Sequence, residues 1–174
     1  MPPVLRPAIV LAVALAAALA WPTAAAAPVP PIDGVVTSVV DGDSLWLKPA
    51  GGGRAIEVRL AGIDAPERCQ PGGAEARSYL AAWVLKRPAR LQPEGAGSAR
   101  DRYGRLLGRL VVDGVEVNRR LVEQGHAWSL RGPQGQGPYL AQERQARAQR
   151  RGLHAAGARA ELPRDFRRRH GPCR

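Results

Sequence analysis

The feature that most constrains the fold is a series of short apolar–polar alternations, each closed off by glycine, aspartate or proline. Residues 54–61 are the clearest case: Ile56, Val58 and Leu60 fall on one face, Glu57 and Arg59 on the other. That period of two belongs to a half-buried strand. Residues 32–40, carrying several valines and Thr37, read as an earlier strand. Asp41-Gly42-Asp43 then turns the chain, and Ser44-Leu45-Trp46-Leu47 opens a second strand, followed by a hairpin tip at Gly51-Gly52-Gly53. Residues 66–73 are too rich in proline and glycine for regular structure. Ala76, Leu80, Trp83 and Val84 form the stripe of a helix over residues 74–87, ended by Pro88. A short strand over 89–93, a small-residue loop over 94–99 and a firmer strand over 104–112 follow, the last turned by Asp113-Gly114. Residues 117–124 fit a short helix with Gly125 beyond its end. After a loop over 131–137, residues 138–151 fit a third helix, with Pro138 in its first turn. Trp46 and Trp83 read as core residues.

Three strands, a helix, two strands and two helices match a five-stranded Greek-key barrel, the OB-fold: an α+β protein with a β-barrel and about three helices. Barrels of this kind bind nucleic acid across one face, but a fold alone assigns no activity.

The 174 residues suit one such domain. Residues 1–27 stand apart. Arg6 is a short positive region, residues 8–20 are an apolar run, and Thr23-Ala24-Ala25-Ala26-Ala27 offers small-residue cleavage sites, so this segment reads as a signal peptide. The run is shorter than the ~20 residues of a spanning helix; an uncleaved anchor is the alternative. The expected mature protein is periplasmic or secreted and keeps no stable membrane insertion. Its domain spans residues 28–153, and residues 154–174 form a basic, loosely attached tail. Cys69 and Cys173 suggest one disulfide in an oxidising compartment, with two free thiols as the alternative. The net charge of +11 favours polyanionic partners, although adhesion to anionic surfaces would explain it equally.

The chemistry concentrates in three acidic positions and two basic ones. Asp43 sits where a strand begins, and Asp64 and Glu67 lie in Gly62-Ile63-Asp64-Ala65-Pro66-Glu67, just after another. Each alone is compatible with ordinary turn chemistry. Two strand ends could bring Asp43 and Asp64 to one rim, and clustered carboxylates repel unless a cation lies among them. Oxygen ligation without His or Cys favours a hard ion such as Ca²⁺. Arg59 and Arg105 open or line strands, and phosphoryl transfer needs such cations to stabilise charge on the equatorial oxygens. His126, His154 and His170 lack metal-ligand spacing.

Val39-Val40-Asp41-Gly42-Asp43-Ser44, Val58-Arg59-Leu60-Ala61-Gly62-Ile63-Asp64-Ala65-Pro66-Glu67 and Asp101-Arg102-Tyr103-Gly104-Arg105 resemble, in order and spacing, the three signature blocks of the staphylococcal nuclease (thermonuclease) family. The resemblance covers roughly residues 35–153. It implies that Asp43, Asp64 and the backbone carbonyl of Ala65 bind Ca²⁺, that Glu67 orients or deprotonates the attacking water, and that Arg59 and Arg105 grip the scissile phosphate. Asp41 would support these through hydrogen bonds. The implied substrate is DNA or RNA, cut with little sequence specificity to leave 3′-phosphates, by a protein acting as a monomer. Ser44 replaces the family's usual Thr, and Ala127-Trp128-Ser129-Leu130 lacks an aromatic that relatives carry; Tyr103 and Tyr139 are the candidate substitutes for base stacking. Degenerate copies of this fold lose the catalytic Glu or Arg, whereas this chain keeps all five matching side chains. That favours an enzyme over a noncatalytic binding module or a merely adhesive basic protein.

Overall fold

A computed structural model describes residues 29–95, 100–132, 134–155, 160–171 and 173. The leader read over residues 1–27 and most of the loop read over 94–99 lie outside the described residues. Five strands close into a barrel: β1 (Ile32–Val39), β2 (Ser44–Pro49), β3 (Ile56–Leu60), β5 (Pro88–Pro93) and β6 (Leu106–Val112). Neighbours are antiparallel around β3-β2-β1-β5-β6, and a parallel β3–β6 pairing shuts the ring. The alternation seen in the sequence drives this closure. Val36, Leu45, Leu47, Val58, Leu60, Leu91 and Leu110 all point inward and are fully buried, which leaves Glu57 and Arg59 on the outer face.

The same period corrects one expectation. With Leu45 and Leu47 inside, Trp46 must face out, and it is exposed; Trp83 is only partly buried. The fully enclosed tryptophan is Trp128, 2% exposed, on the two-residue strand β8 (Trp128–Ser129). That strand pairs with β4 (Ile63–Asp64), with Asp64 opposite Trp128.

Helices cover the ends. In α1 (Gly73–Val84), Ala76, Leu80 and Val84 are buried. This helix stops three residues short of the expected end because Lys86 and Arg87 hydrogen-bond to Val36 of β1 instead of continuing it. The two-residue β7 (Val115–Glu116) leads into α2 (Val117–Glu123). Its Asn118, wholly buried, donates to the carbonyls of Ala61 and Gly108 and accepts from the Leu110 N–H. α3 (Leu140–Ala148) is shorter than expected; the Tyr139 N–H ahead of it is taken by Ser129 Oγ. After a 3₁₀ turn at Gly152–His154, the tail expected to be loose and unpatterned forms a further helix, α4 (Pro163–His170), held by a Cys69–Cys173 disulfide. Among the described residues no helix is long and apolar enough to cross a membrane.

Candidate active site

Sheet register assembles the site. Ser44, opening β2, lies opposite Arg59 on β3, so Asp43 reaches the rim beside that arginine. Arg59 also pairs in register with Leu107 of β6, and Arg105, two residues earlier, shares its outward face. Past β3, Gly62 adopts φ +73°, a conformation costly for any other residue. A Cβ there would also meet Pro138 at 2.6 Å. This turn redirects the chain into β4 and delivers Asp64 to the same rim. Gly42 plays the complementary part: a Cβ on it would lie 2.6 Å from the Ala65 methyl, so the two acid-bearing turns pack directly together.

The carboxylates are deeply set, Asp43 at 1% exposure and Asp64 at 5%. A single guanidinium joins them: Arg59 contacts Asp43 Oδ1 through Nη1 and Asp64 Oδ1 through Nη2 at 3.1 Å. Burial lowers the Arg59 pKa from its ordinary value, and the charges of Asp64 and Asp41 oppose that shift. Asp43 Oδ2 accepts the Ala65 N–H at 2.7 Å and Asp43 Oδ1 accepts from Ser44 Oγ at 3.2 Å. Asp41 accepts the Asp43 N–H at 3.0 Å, which fixes the turn.

Arg105 is held separately. Asp101 Oδ2 accepts its Nε at 2.8 Å, while Asp101 Oδ1 accepts the backbone N–H groups of Tyr103 and Arg105 at 2.9 and 3.0 Å. Arg105 Nη1 then donates to Ser44 Oγ at 3.1 Å, linking it to Asp43. Glu67 follows the β4 turn, and its N–H donates to Gln70 Oε1 at 3.1 Å. Asp41, Arg59, Glu67, Tyr103 and Arg105 line one cleft of about 460 Å³. Tyr103 is 66% exposed at its edge, suited to stacking against a base. Tyr139 is not: it is buried, its hydroxyl donates to Glu116 at 2.5 Å, and burial with that partner pushes its pKa up.

All five side chains singled out from the sequence thus meet at one rim. Two participants were not singled out: Asp101, which orients Arg105, and Arg167 of α4. Arg167 donates to Glu67 Oε1 at 2.5 Å and to both oxygens of Asp64 at 3.3 Å. A signal for it existed. Pro163 at the helix start, Asp165 in the first turn, four basic residues in the last turn and Gly171 beyond are helix start and stop signals, with Leu162 rather than a polar residue at the N-cap.

The donor chemistry suits a hard cation. Two buried carboxylates bridged by one guanidinium share a narrow space, with only oxygen donors beside the Ala65 backbone. Among the described residues, no three His, Cys, Asp or Glu side chains group as a metal cluster.

Residues 57–156 match the family model described as "Staphylococcal nuclease homologue". An "Uncharacterized endonuclease" of Haemophilus influenzae is 34% identical over 120 residues, covering 69% of this chain and 65% of that protein. "Protein ParB" of Escherichia coli is 34% identical over 160 residues, 86% of this chain and 82% of the relative. "Probable staphylococcal-like nuclease CAN1" of Oryza sativa subsp. japonica is 34% identical over 141 residues. That match covers 78% of this chain but 41% of the rice protein, so the chain spans less than two thirds of the Haemophilus and rice relatives.

Proposed function

Because the chain belongs to the staphylococcal nuclease family, we propose that it is a hydrolytic nuclease that cleaves phosphodiester bonds in DNA or RNA with Ca²⁺. The observation that carries this reading is the joining of Asp43, Asp64, Arg59, Ser44 and Arg105 in one hydrogen-bonded array. Glu67 lies on the same cleft as both arginines. Asp43, Asp64 and the Ala65 carbonyl would hold the ion. Bound there, a calcium ion supplies Lewis-acid polarisation of the phosphate and a template for the attacking water.

The remaining work falls to the chain. Glu67 takes a proton from water as its oxygen attacks phosphorus. Arg59 and Arg105 hold the equatorial oxygens and bind the more highly charged transition state better than the ground state. The P–O5′ bond breaks and the departing oxygen takes up a proton from solvent, leaving a 5′-hydroxyl and a 3′-phosphate. Contacts to phosphate carry no base information, so specificity is low; Tyr103 adds sequence-tolerant stacking. We infer that the protein acts outside the cytoplasm as a monomer. The leader composition and the Cys69–Cys173 crosslink, of a kind that persists in oxidising compartments, support export.

Digestion of single-stranded DNA by the purified mature protein tests this. Hydrolysis with Ca²⁺, none with EGTA, and product 3′ ends that block polymerase extension until phosphatase treatment are expected. No hydrolysis in either condition would refute the enzyme reading. Glu67→Gln is expected to lower kcat by about 10²-fold or more while Ca²⁺ affinity stays within a few-fold.

A further inference from the structure

While α4 is docked, both carboxylate oxygens of Asp64 accept hydrogen bonds from arginine. Its Oδ1 accepts from Arg59 at 3.1 Å and Arg167 at 3.3 Å, and its Oδ2 accepts from Arg167 at 3.3 Å. The two arginines differ in how they are held. Arg59 projects from a barrel strand with its side chain 17% exposed. Arg167 arrives from a helix about a hundred residues further along the chain, with its side chain 41% exposed. It lines the cleft of Arg59, Glu67 and Arg105, and also the cleft that contains Asp64, Trp128 and Ser129; among the described residues no other lines both. The Arg167 guanidinium therefore stands between the two clefts.

The anchors of α4 lie in the loop that carries those carboxylates. Cys69, two residues after Glu67, is disulfide-bonded to Cys173, just beyond the helix. Gln70 Nε2 donates to the Glu161 carbonyl at 2.6 Å, ahead of the helix. Pro163 and Phe166 are buried beneath it. The crosslink keeps Arg167 at high local concentration near Asp64 whether or not it is docked.

We propose that Arg167 is a tethered competitor of the divalent cation at Asp64: α4 docks with its guanidinium on Asp64 and Glu67, and cation binding requires that guanidinium to leave. The proposal rests on Asp64 being a cation ligand. Because the two events exclude each other, their coupling is reciprocal. Whatever weakens docking of α4 tightens the cation, and the cation loosens α4.

The test is calorimetric titration of Ca²⁺ into the mature full-length chain, comparing the unsubstituted protein with Arg167→Gln, Arg167→Lys, Cys69→Ser/Cys173→Ser and Asp64→Asn. Arg167→Gln is expected to bind Ca²⁺ roughly tenfold more tightly, the factor for a docked state holding about nine tenths of the population. Arg167→Lys, which keeps the charge and loses the fork, and the serine pair, which keeps the noncovalent anchors, should each fall between. Saturating Ca²⁺ should also speed tryptic cleavage after Arg167 and Arg168 in the unsubstituted protein. Equal or weaker Ca²⁺ binding by Arg167→Gln, with a normal thermal melt, overturns the proposal while leaving the calcium reading intact. Unchanged binding by Asp64→Asn, or no binding by any variant, overturns both.

Discussion

Replacing Asp101 should damage catalysis without touching any group that meets the substrate. Its carboxylate holds Arg105 by Nε at 2.8 Å and Nη2 at 2.7 Å and fixes the backbone of the Tyr103–Arg105 turn. The pair is largely enclosed, at 21% and 17% side-chain exposure, so it lies above the ~0–1 kcal/mol of open surface pairs. Charge-assisted hydrogen bonds contribute about 1.5–3 kcal/mol. If that energy serves to aim Arg105 at the developing charge, Asp101→Ala loses it from the transition state, a fall of about 10- to 150-fold in kcat/KM. Asp101→Asn keeps an acceptor for the backbone N–H groups and should lose less. Burial on its own would raise the Asp101 pKa, but the Arg105 side chain and the backbone N–H donors outweigh it, so the carboxyl titrates below its ordinary 3.8. The stability it contributes is therefore full above that pH and is lost only as pH falls through the lower folded value. The assay is a double-mutant cycle in kcat/KM over Asp101→Ala and Arg105→Ala, with melting curves as control. Strong non-additivity is expected, since once Arg105 is gone Asp101 has nothing to aim. Additive losses, or Asp101→Ala within twofold of the unsubstituted protein, would refute the reasoning.

Glu143→Ala should cost about 2–4 kcal/mol in urea denaturation, because a carboxylate 1% exposed accepts the Ser129 N–H at 3.0 Å and anchors Arg131 and Arg147. A loss below about 1 kcal/mol would mean that β8 is held by other means. Acid should weaken the fold by way of two histidines. Burial lowers His126, opposed by Glu75, and burial lowers His154 with Arg147 adding and Glu143 opposing. As pH falls below 6.5 the unfolded chain takes up protons that the folded chain refuses, so stability drops through that window. His126→Phe/His154→Phe should flatten the dependence of Tm on pH between about 7 and 5; an unchanged slope would assign it elsewhere.

The barrel was legible because strand burial writes itself into the sequence with period two, and the one misreading there, Trp46, came from weighing residue type above that period. Leu45 and Leu47 already occupied the inward positions. The site was legible in part for the same reason: Arg59 had to face outward once Val58 and Leu60 faced in. That Arg59 stands between Asp43 and Asp64 depends on the pairing of β2 with β3 and on the Gly62 turn, neither of which local pattern specifies. The helix ends moved for tertiary reasons too. Residues 85–87 had helical potential, but Lys86 and Arg87 instead continue the β1–β5 ladder by pairing with Val36. α4 escaped notice because its polarity masked its caps. Its only buried positions among the described residues are Pro163 and Phe166, too few to give an apolar stripe.

That sparse footing separates two roles of the disulfide. It closes a loop of 104 residues, for which the chain-entropy model gives about 4–5 kcal/mol against global unfolding. This contribution arises in the unfolded chain, where the barrel is gone and the ends would otherwise wander. Undocking of α4 is a different event: the barrel stays folded, the crosslink stays closed, and only the burial of two side chains and a few polar contacts is given up. The crosslink can therefore stabilise the whole molecule strongly while leaving the helix free to lift and return. Both roles use the same short stretch after β4. Asp64, Glu67, Cys69 and Gln70 are close neighbours in sequence, so any movement of α4 is felt first at the carboxylates on which the chemistry depends.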